Sequence, residues 1–494
     1  MENNSSTIKT SADYDLNFKF KQFKQFKTRY GLFYLVFATL FIFCLGHLYF
    51  SKYIFPQSLP IETLKGAVAQ LLSLKIILVV FLFLYRGNHQ KNIMLFFGTL
   101  AIIFCGKFIG FYSLTLALQK INITALSLFF SINLISIIMA ETKCLDFVAH
   151  KLIGRFANSA FSLFVILCLL AYSFSLSSDR LVVMLLLFPI TFNITEKLKL
   201  NSLPFIAGEI IAANLGANST VIGVSNTLIL TTLHVPFILF INYLLPICII
   251  NLGITFFYFY YSRTLHKAAS SMPPMDLLDL PNVKVKYPWV LILFFIIMST
   301  MISLFMLSTI DPGLIALTAS FTLFFFCGID KGRIIRKIKY DNFLFLLLLF
   351  VFIGGIESSG LLKTVINIIT YMAFGSPLLK MLLLMWFACF VTIFFNVAPT
   401  TIIFLPMFMN ISGDIGSDEY FVFWALSLGI CSGQMATLRG STVASLLEMG
   451  RNQKLEKSTS HVINFVSYSK FGFPIMYFHL LVSTIYVTFL FLIK

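Results

Sequence analysis

Five stretches of this chain, residues 31–50, 92–118, 236–261, 288–307 and 471–493, are apolar almost without interruption. Each reaches the roughly 20 residues that cross the hydrocarbon of a bilayer as a helix. No water is available at that depth, so every backbone N–H and C=O must be paired within the protein, and a helix pairs them within the segment itself. The chain is therefore expected to be an all-α polytopic membrane protein. Of its 494 residues 59% are hydrophobic and 11% charged, against about 25% charged in a soluble protein.

The net charge of +16 would raise nucleic acid as a partner for a soluble protein. No soluble domain is long enough to use it here, and the basic residues sit in loops, as the positive-inside rule expects. The partners expected are the lipid bilayer and a small ion, not nucleic acid. Eight cysteines form no C-x-x-C pair, so neither a zinc site nor a disulfide framework is expected. No His or Cys cluster and no nucleophile–base motif suggests an enzyme. Residues 1–30 are polar and carry Lys9, Lys19, Lys21, Lys24, Lys27 and Arg29. They read as a basic tail that stays in the cytoplasm rather than a cleavable leader; the location expected is a bacterial inner (plasma) membrane, with the N-terminus cytoplasmic.

Loop charges thread the rest. A first span and outer loop (31–60) precede a unit over 61–261. A basic linker with Pro273-Pro274 (262–287) leads to a second unit over 288–494. In each unit one segment is too long for a single crossing and has a polar middle: about 161–195, with Ser177-Ser178-Asp179-Arg180, and about 378–410, with Asn396. These read as re-entrant hairpins, since non-helical backbone at that depth is tolerated only against protein or a watery cavity. About 11 spans plus two hairpins result. Five crossings per unit is an odd number, so the second unit is upside down relative to the first, the inverted-repeat plan of secondary transporters.

The two units echo each other in sequence. Gly216, Thr220 and Gly223 recur as Gly433, Thr437 and Gly440, a Gly-x-x-x-Thr-x-x-Gly frame displaced by 217 residues. The same displacement carries Asp179 onto Asn396 and Pro189 onto Pro406, and Glu141 falls close to Glu357. Small and hydroxyl residues inside an apolar run mark a broken helix that exposes its backbone to an ion. Broken helices are expected at about 204–231, unwound near 216–219, and at about 421–449.

With these motifs the chain resembles the ion transporter superfamily, most nearly its arsenite-efflux and sodium–proton antiporter type permeases. Divalent anion/sodium symporters and citrate transporters are more distant relatives. The resemblance covers about residues 60–494 and rests on Met139-Ala-Glu-Thr-Lys143, Ser177-Ser-Asp-Arg-Leu181 and the 204–226 loop, then Gly354-Gly-Ile-Glu-Ser358, Phe395-Asn-Val-Ala-Pro399 and the 428–441 loop. It implies transport without a bound cofactor, sodium or protons as coupling ions, and a possible homodimer. The chain departs from the family pattern at Gly223-Val-Ser-Asn226, where Gly-Asp-Pro-Pro-Asn is usual, at Arg180 and at Arg439.

An alkali cation needs several oxygen ligands, which a hairpin tip beside a broken helix supplies. The first set expected is Ser177, Ser178 and Asp179 with Asn214, Gly216, Asn218, Thr220 and Gly223, with possible sodium at the Ser177/Asp179/Asn214 cluster. The second is Asn396 and Thr400 with Ser432, Gly433, Thr437, Arg439, Gly440 and Ser441. The alternative is that the small residues serve close helix packing. Asp179 and Glu209 are the proton-coupling candidates; Asp179 could instead pair with Arg180, and Glu209 could be mere lining. Arg439 either replaces a bound cation or snorkels to a vestibule. Glu141 and Glu357 read as structural groups near opposite surfaces. The expected function is secondary transport of a small inorganic ion, by sodium–proton antiport or arsenite-type efflux. The alternatives are coupled import of a small dicarboxylate or sulfate-like anion, and a non-transporting receptor or scaffold.

Overall fold

A computed structural model describes residues 61–86, 91–156, 159–262, 285–307, 310–415, 420–438 and 465–493. These residues form helices and no strands. Eight of the helices are long and apolar enough to cross a membrane, and further apolar helices are shorter; of these Phe421–Ala436 is almost wholly buried, whereas Pro312–Phe326 keeps Leu314, Phe325 and Phe326 exposed. The expected first span at 31–50 lies outside the described residues.

The first unit comprises α1 (Ile61–Arg86), α2 (Lys91–Ile109), α3 (Leu114–Gln119), α4 (Ile123–Glu141), α5 (Cys144–Phe156), α6 (Ala160–Ser175), α7 (Arg180–Lys197), α8 (Ser202–Asn218), α9 (Val224–Leu233) and α10 (Phe237–Tyr261). The second comprises α11 (Pro288–Leu307), α12 (Pro312–Phe326), α13 (Lys331–Lys337), α14 (Tyr340–Ser358), α15 (Leu361–Met372), α16 (Pro377–Phe394), α17 (Val397–Ile415), α18 (Phe421–Ala436) and α19 (Phe465–Ile493). Shifting α4 by 217 residues lands on α14 at both ends, and α3, α5, α6, α7 and α8 land on α13, α15, α16, α17 and α18 within a few residues.

The apolar run 92–118 does not form one span. Helix α2 stops at Ile109, Gly110 takes a left-handed φ of +94°, and Ser113 caps the short α3. The turn buries Tyr112, whose hydroxyl donates to the carbonyl of Val351 at 2.8 Å. That bond crosses between the units, and α2 packs on α14 while α12 packs on α4. Each unit thus completes its packing with a helix of the other.

Two ion pairs show the inversion directly. Lys120, just before α4, pairs with Glu357 at the end of α14, 2.9 Å away. Lys337, just before α14, pairs with Glu141 at the end of α4, and Arg333 stands 3.9 Å from the same carboxylate. Lys120 and Lys337 are equivalent under the 217-residue shift. Helix α4 has 19 residues, about 28 Å, so the equivalent pairs occupy opposite ends of antiparallel helices. Lys120 and Glu357 are both 38% exposed, and removing that pair by Lys120→Met is expected to cost under about 1 kcal/mol. Lys337→Met is expected to cost more, because the Glu141 side chain is only 11% exposed. Thermal unfolding of both variants in one detergent checks the order.

Candidate functional site

Helices α6 and α7 form the first hairpin, turning at 176–179, and α16 and α17 form the second, turning at 395–396. Helix α8 packs along α6, and α18 along α16. The repeated frame explains how. A Cβ on Gly216 would lie 2.3 Å from the carbonyl oxygen of Tyr172, and one on Gly433 would lie 2.3 Å from that of Cys389. Tyr172 and Cys389 are themselves equivalent, so both glycines let a broken helix touch the hairpin backbone. One turn later, the Thr220 hydroxyl donates to the Leu176 carbonyl at 3.3 Å and the Thr437 hydroxyl to the Ile393 carbonyl at 2.7 Å. Each of these bonds satisfies a carbonyl at the end of a hairpin arm, where helices leave such groups orphaned.

The first break falls at 219–223, three residues later than the expected 216–219. The Ser219 hydroxyl donates back to Leu215 at 2.9 Å and meets Tyr172 Oη at 2.8 Å, which carries the helix past Gly216. The loop is closed by Asn226, whose Nδ2 donates to the carbonyls of Asn218 and Thr220 at 2.8 and 2.7 Å. Ser427 Oγ, from α18, lies 2.6 Å from Asn226 Oδ1 and 3.0 Å from Asn218 Oδ1. Asn226 and Ser427 were not among the expected site residues, although an amide inside an apolar helix start is a usable signal. The second break begins at Thr437, which is extended at φ −136°, ψ 153°. Arg439, Gly440 and Ser441 lie outside the described residues.

The adjacent tip residues Asp179 and Arg180 point apart. The Asp179 carboxylate caps α7 by accepting from the Leu181 N–H at 2.9 Å. Its backbone N–H donates to Ser136 Oγ at 2.7 Å, and Asn133 Nδ2 donates to its other oxygen at 3.5 Å. Ser136 and Asn133 belong to α4, so the tip rests on that helix. Lys339, ahead of α14, feels the same carboxylate: burial lowers its pKa and Asp179 opposes the shift. Asn214 instead shares the opposite side of the tip with Arg180, whose Nη1 stands 3.4 Å from Asn214 Oδ1 and 2.6 Å from Gln434 Oε1. The structure therefore brings Asn214 to Arg180, and Asp179 to α4. Ser178 is buried, and Ser177 Oγ donates locally to Phe174 at 3.4 Å.

At the second tip, Asn396 Oδ1 accepts from Val397 N–H at 2.7 Å, Thr400 Oγ1 donates to the Asn396 carbonyl at 3.2 Å, and Ser432 Oγ to Leu428 at 2.9 Å. The ring of Phe395 lies 4.3 Å from that of Phe81 on α1. The broken helices cross where Cys431 Sγ sits 4.0 Å from the Asn214 carbonyl. Those residues are equivalent under the 217-residue shift, which puts them beside the internal axis. Deeper in α8, Glu209 is 0% exposed; Thr191 of α7 donates to its Oε1, and Oε2 has no partner. Among the described residues no group of three or more His, Cys, Asp or Glu could hold a metal ion.

Known proteins are similar to this chain. A magnetosome protein, MamN, of Magnetospirillum gryphiswaldense (strain DSM 6361 / JCM 21280 / NBRC 15271 / MSR-1) is 28% identical over 84% of this chain and 98% of its own length. An uncharacterized transporter of Mycobacterium tuberculosis (strain ATCC 25618 / H37Rv) is 23% identical over 71% of this chain and 82% of its own. Among solved structures, the YdaH transporter of Alcanivorax borkumensis, described as having an unusual topology, aligns with a TM-score of 0.50 at 12% identity. It covers 75% of this chain and 86% of that one, and shows the fold alone. The citrate transporter family, represented by its sequence model, matches residues 80–429 and again 304–493. With two inverted units, duplicated tips and breaks, and that match over most of its length, the chain belongs to the citrate transporter family of membrane transporters.

Proposed function

We propose that the chain carries a small anion across the membrane by alternating access, linked to proton movement. In this reading the two hairpins and broken helices move together against the α2, α4, α12 and α14 framework. The observation that carries it is the buried Arg180 guanidinium where the two broken helices cross. A charge at that depth is costly and functional by default, and its N–H groups are donors suited to carboxylate or oxyanion oxygen. The citrate transporter match supports the same substrate class.

The coupling group proposed is Glu209, whose Oε2 is buried without a partner. A carboxyl group there gains or loses a proton at a cost set by its surroundings, so its proton can follow the movement of the hairpin. Glu209→Gln keeps the size and an acceptor for Thr191. It is expected to leave folding intact, and to flatten the pH dependence of transport or reduce uptake about tenfold or more. Uptake of labelled citrate by proteoliposomes between acid and alkaline pH checks this.

The second reading is sodium–proton exchange or arsenite-type efflux. It is favoured by the Asp179 carboxylate at the first tip, beside Ser136 and Asn133. A flux panel of citrate, succinate, sulfate, arsenite and sodium, with and without a pH gradient, separates the two. Citrate, succinate or sulfate uptake driven by protons supports the first. Sodium- or arsenite-driven proton movement without anion flux overturns it.

A further inference from the structure

Arg180 is the first residue of α7, and its equivalent in α17 is Val397. The first tip therefore carries a positive charge that the second lacks, next in sequence to the Asp179 carboxylate, whose own equivalent is the neutral Asn396. Arg180 is 7% exposed, Asn214 1% and Gln434 2%. The guanidinium contacts Gln434 Oε1 at 2.6 Å and Asn214 Oδ1 at 3.4 Å. Gln434 belongs to α18 and Asn214 to α8, so amide oxygens converge on the charge from the broken helices of both units. Neutral oxygens brought together by two broken helices are what a dehydrated alkali cation needs. Close packing does not account for a cation here, because it sits at the positive end of the α7 dipole and at membrane depth. Beside it, Asn214 Nδ2 is buried and lacks a hydrogen-bond partner, a donor open to an acceptor.

We propose that Arg180 is a tethered cation. Its guanidinium fills the position between the broken helices that a coupling sodium would otherwise take, and holds the transported anion next to Asn214 Nδ2. The carrier then binds no sodium, because the charge travels as part of the protein. The inference rests on the small-anion reading above only for what lies next to the guanidinium. The claim about sodium can be tested without any flux.

The test is the thermal midpoint of purified protein in sodium chloride against choline chloride at equal ionic strength, for wild type, Arg180→Asn and Arg180→Lys. Wild type and Arg180→Lys are expected to be indifferent to the exchange. Arg180→Asn is expected to gain a saturable rise of roughly 2 °C in sodium. Saturable stabilisation of wild type by sodium overturns the proposal, and so does an Arg180→Asn variant that folds and ignores sodium. Should Arg180→Asn not fold, wild type and Arg180→Lys decide, since sodium binding by either overturns it and indifference of both supports it. Failure of citrate, succinate and sulfate flux with these midpoints as expected would count against the proposed function and leave the tethered cation standing.

Discussion

Gly433→Val is expected to be the most destabilising single change in the chain, with a clear fall in folded yield. A Cβ there would lie 2.3 Å from the Cys389 carbonyl oxygen and 2.9 Å from the Thr392 Cβ. The first is backbone in the middle of α16, which cannot rotate aside as a side chain can. Overpacking that side chains can absorb costs about 1–3 kcal/mol. Here the helix itself must shift along the contact, so about 3 kcal/mol or more is expected, from a total stability of about 5–15 kcal/mol. Gly216→Val should behave alike, as its Cβ would meet the Tyr172 carbonyl at 2.3 Å. Gly253 is the control: nothing lies within 4 Å of a Cβ there, and Gly253→Ala inside α10 should be neutral or stabilise by about 0.5–1 kcal/mol. Monodisperse yield in detergent and the thermal midpoint read all three.

Asn226→Leu is expected to be the second most damaging change. Its Nδ2 provides hydrogen bonds to two carbonyls of the first break, and its Oδ1 receives Ser427 from the other unit. Leucine leaves both carbonyls without that donor. At about 1–3 kcal/mol for each buried unsatisfied group, the loss is about 2–6 kcal/mol. Asn226→Asp keeps the acceptor and loses the donor, so it should retain the Ser427 contact and still open the break. Transport by any Asn226→Leu protein that survives purification should fall more than tenfold, because the loop beside Asn214 no longer has a fixed shape. Citrate uptake and unfolding midpoints on the same preparation separate lost geometry from lost protein.

The large-scale plan was legible because its causes are periodic and long. Apolar runs of bilayer length announced the helices, loop charges announced the inversion, and α4 and α14 fall where the repeat requires. Local detail was less legible, for identifiable reasons. The run 92–118 is apolar throughout its turn, since Tyr112 is buried there, and hydropathy cannot register a left-handed Gly110. The break was expected at Gly216, but that glycine serves close approach and Ser219 extends the helix beyond it. Asp179 and Arg180 are adjacent in sequence, and only the hairpin geometry sends one to α4 and the other to the crossing of α8 and α18.

The exchange of helices between units has a consequence for how the chain is made. Tyr112 bonds to Val351, 239 residues further on, and α2 packs on α14. A ribosome adding about 5–20 residues per second needs about 12–50 s to supply that partner. During that interval the first unit stands in the bilayer without the surface it is shaped to meet. The nascent first half should therefore be the stage most exposed to quality control, and separately expressed halves should accumulate only when both are present.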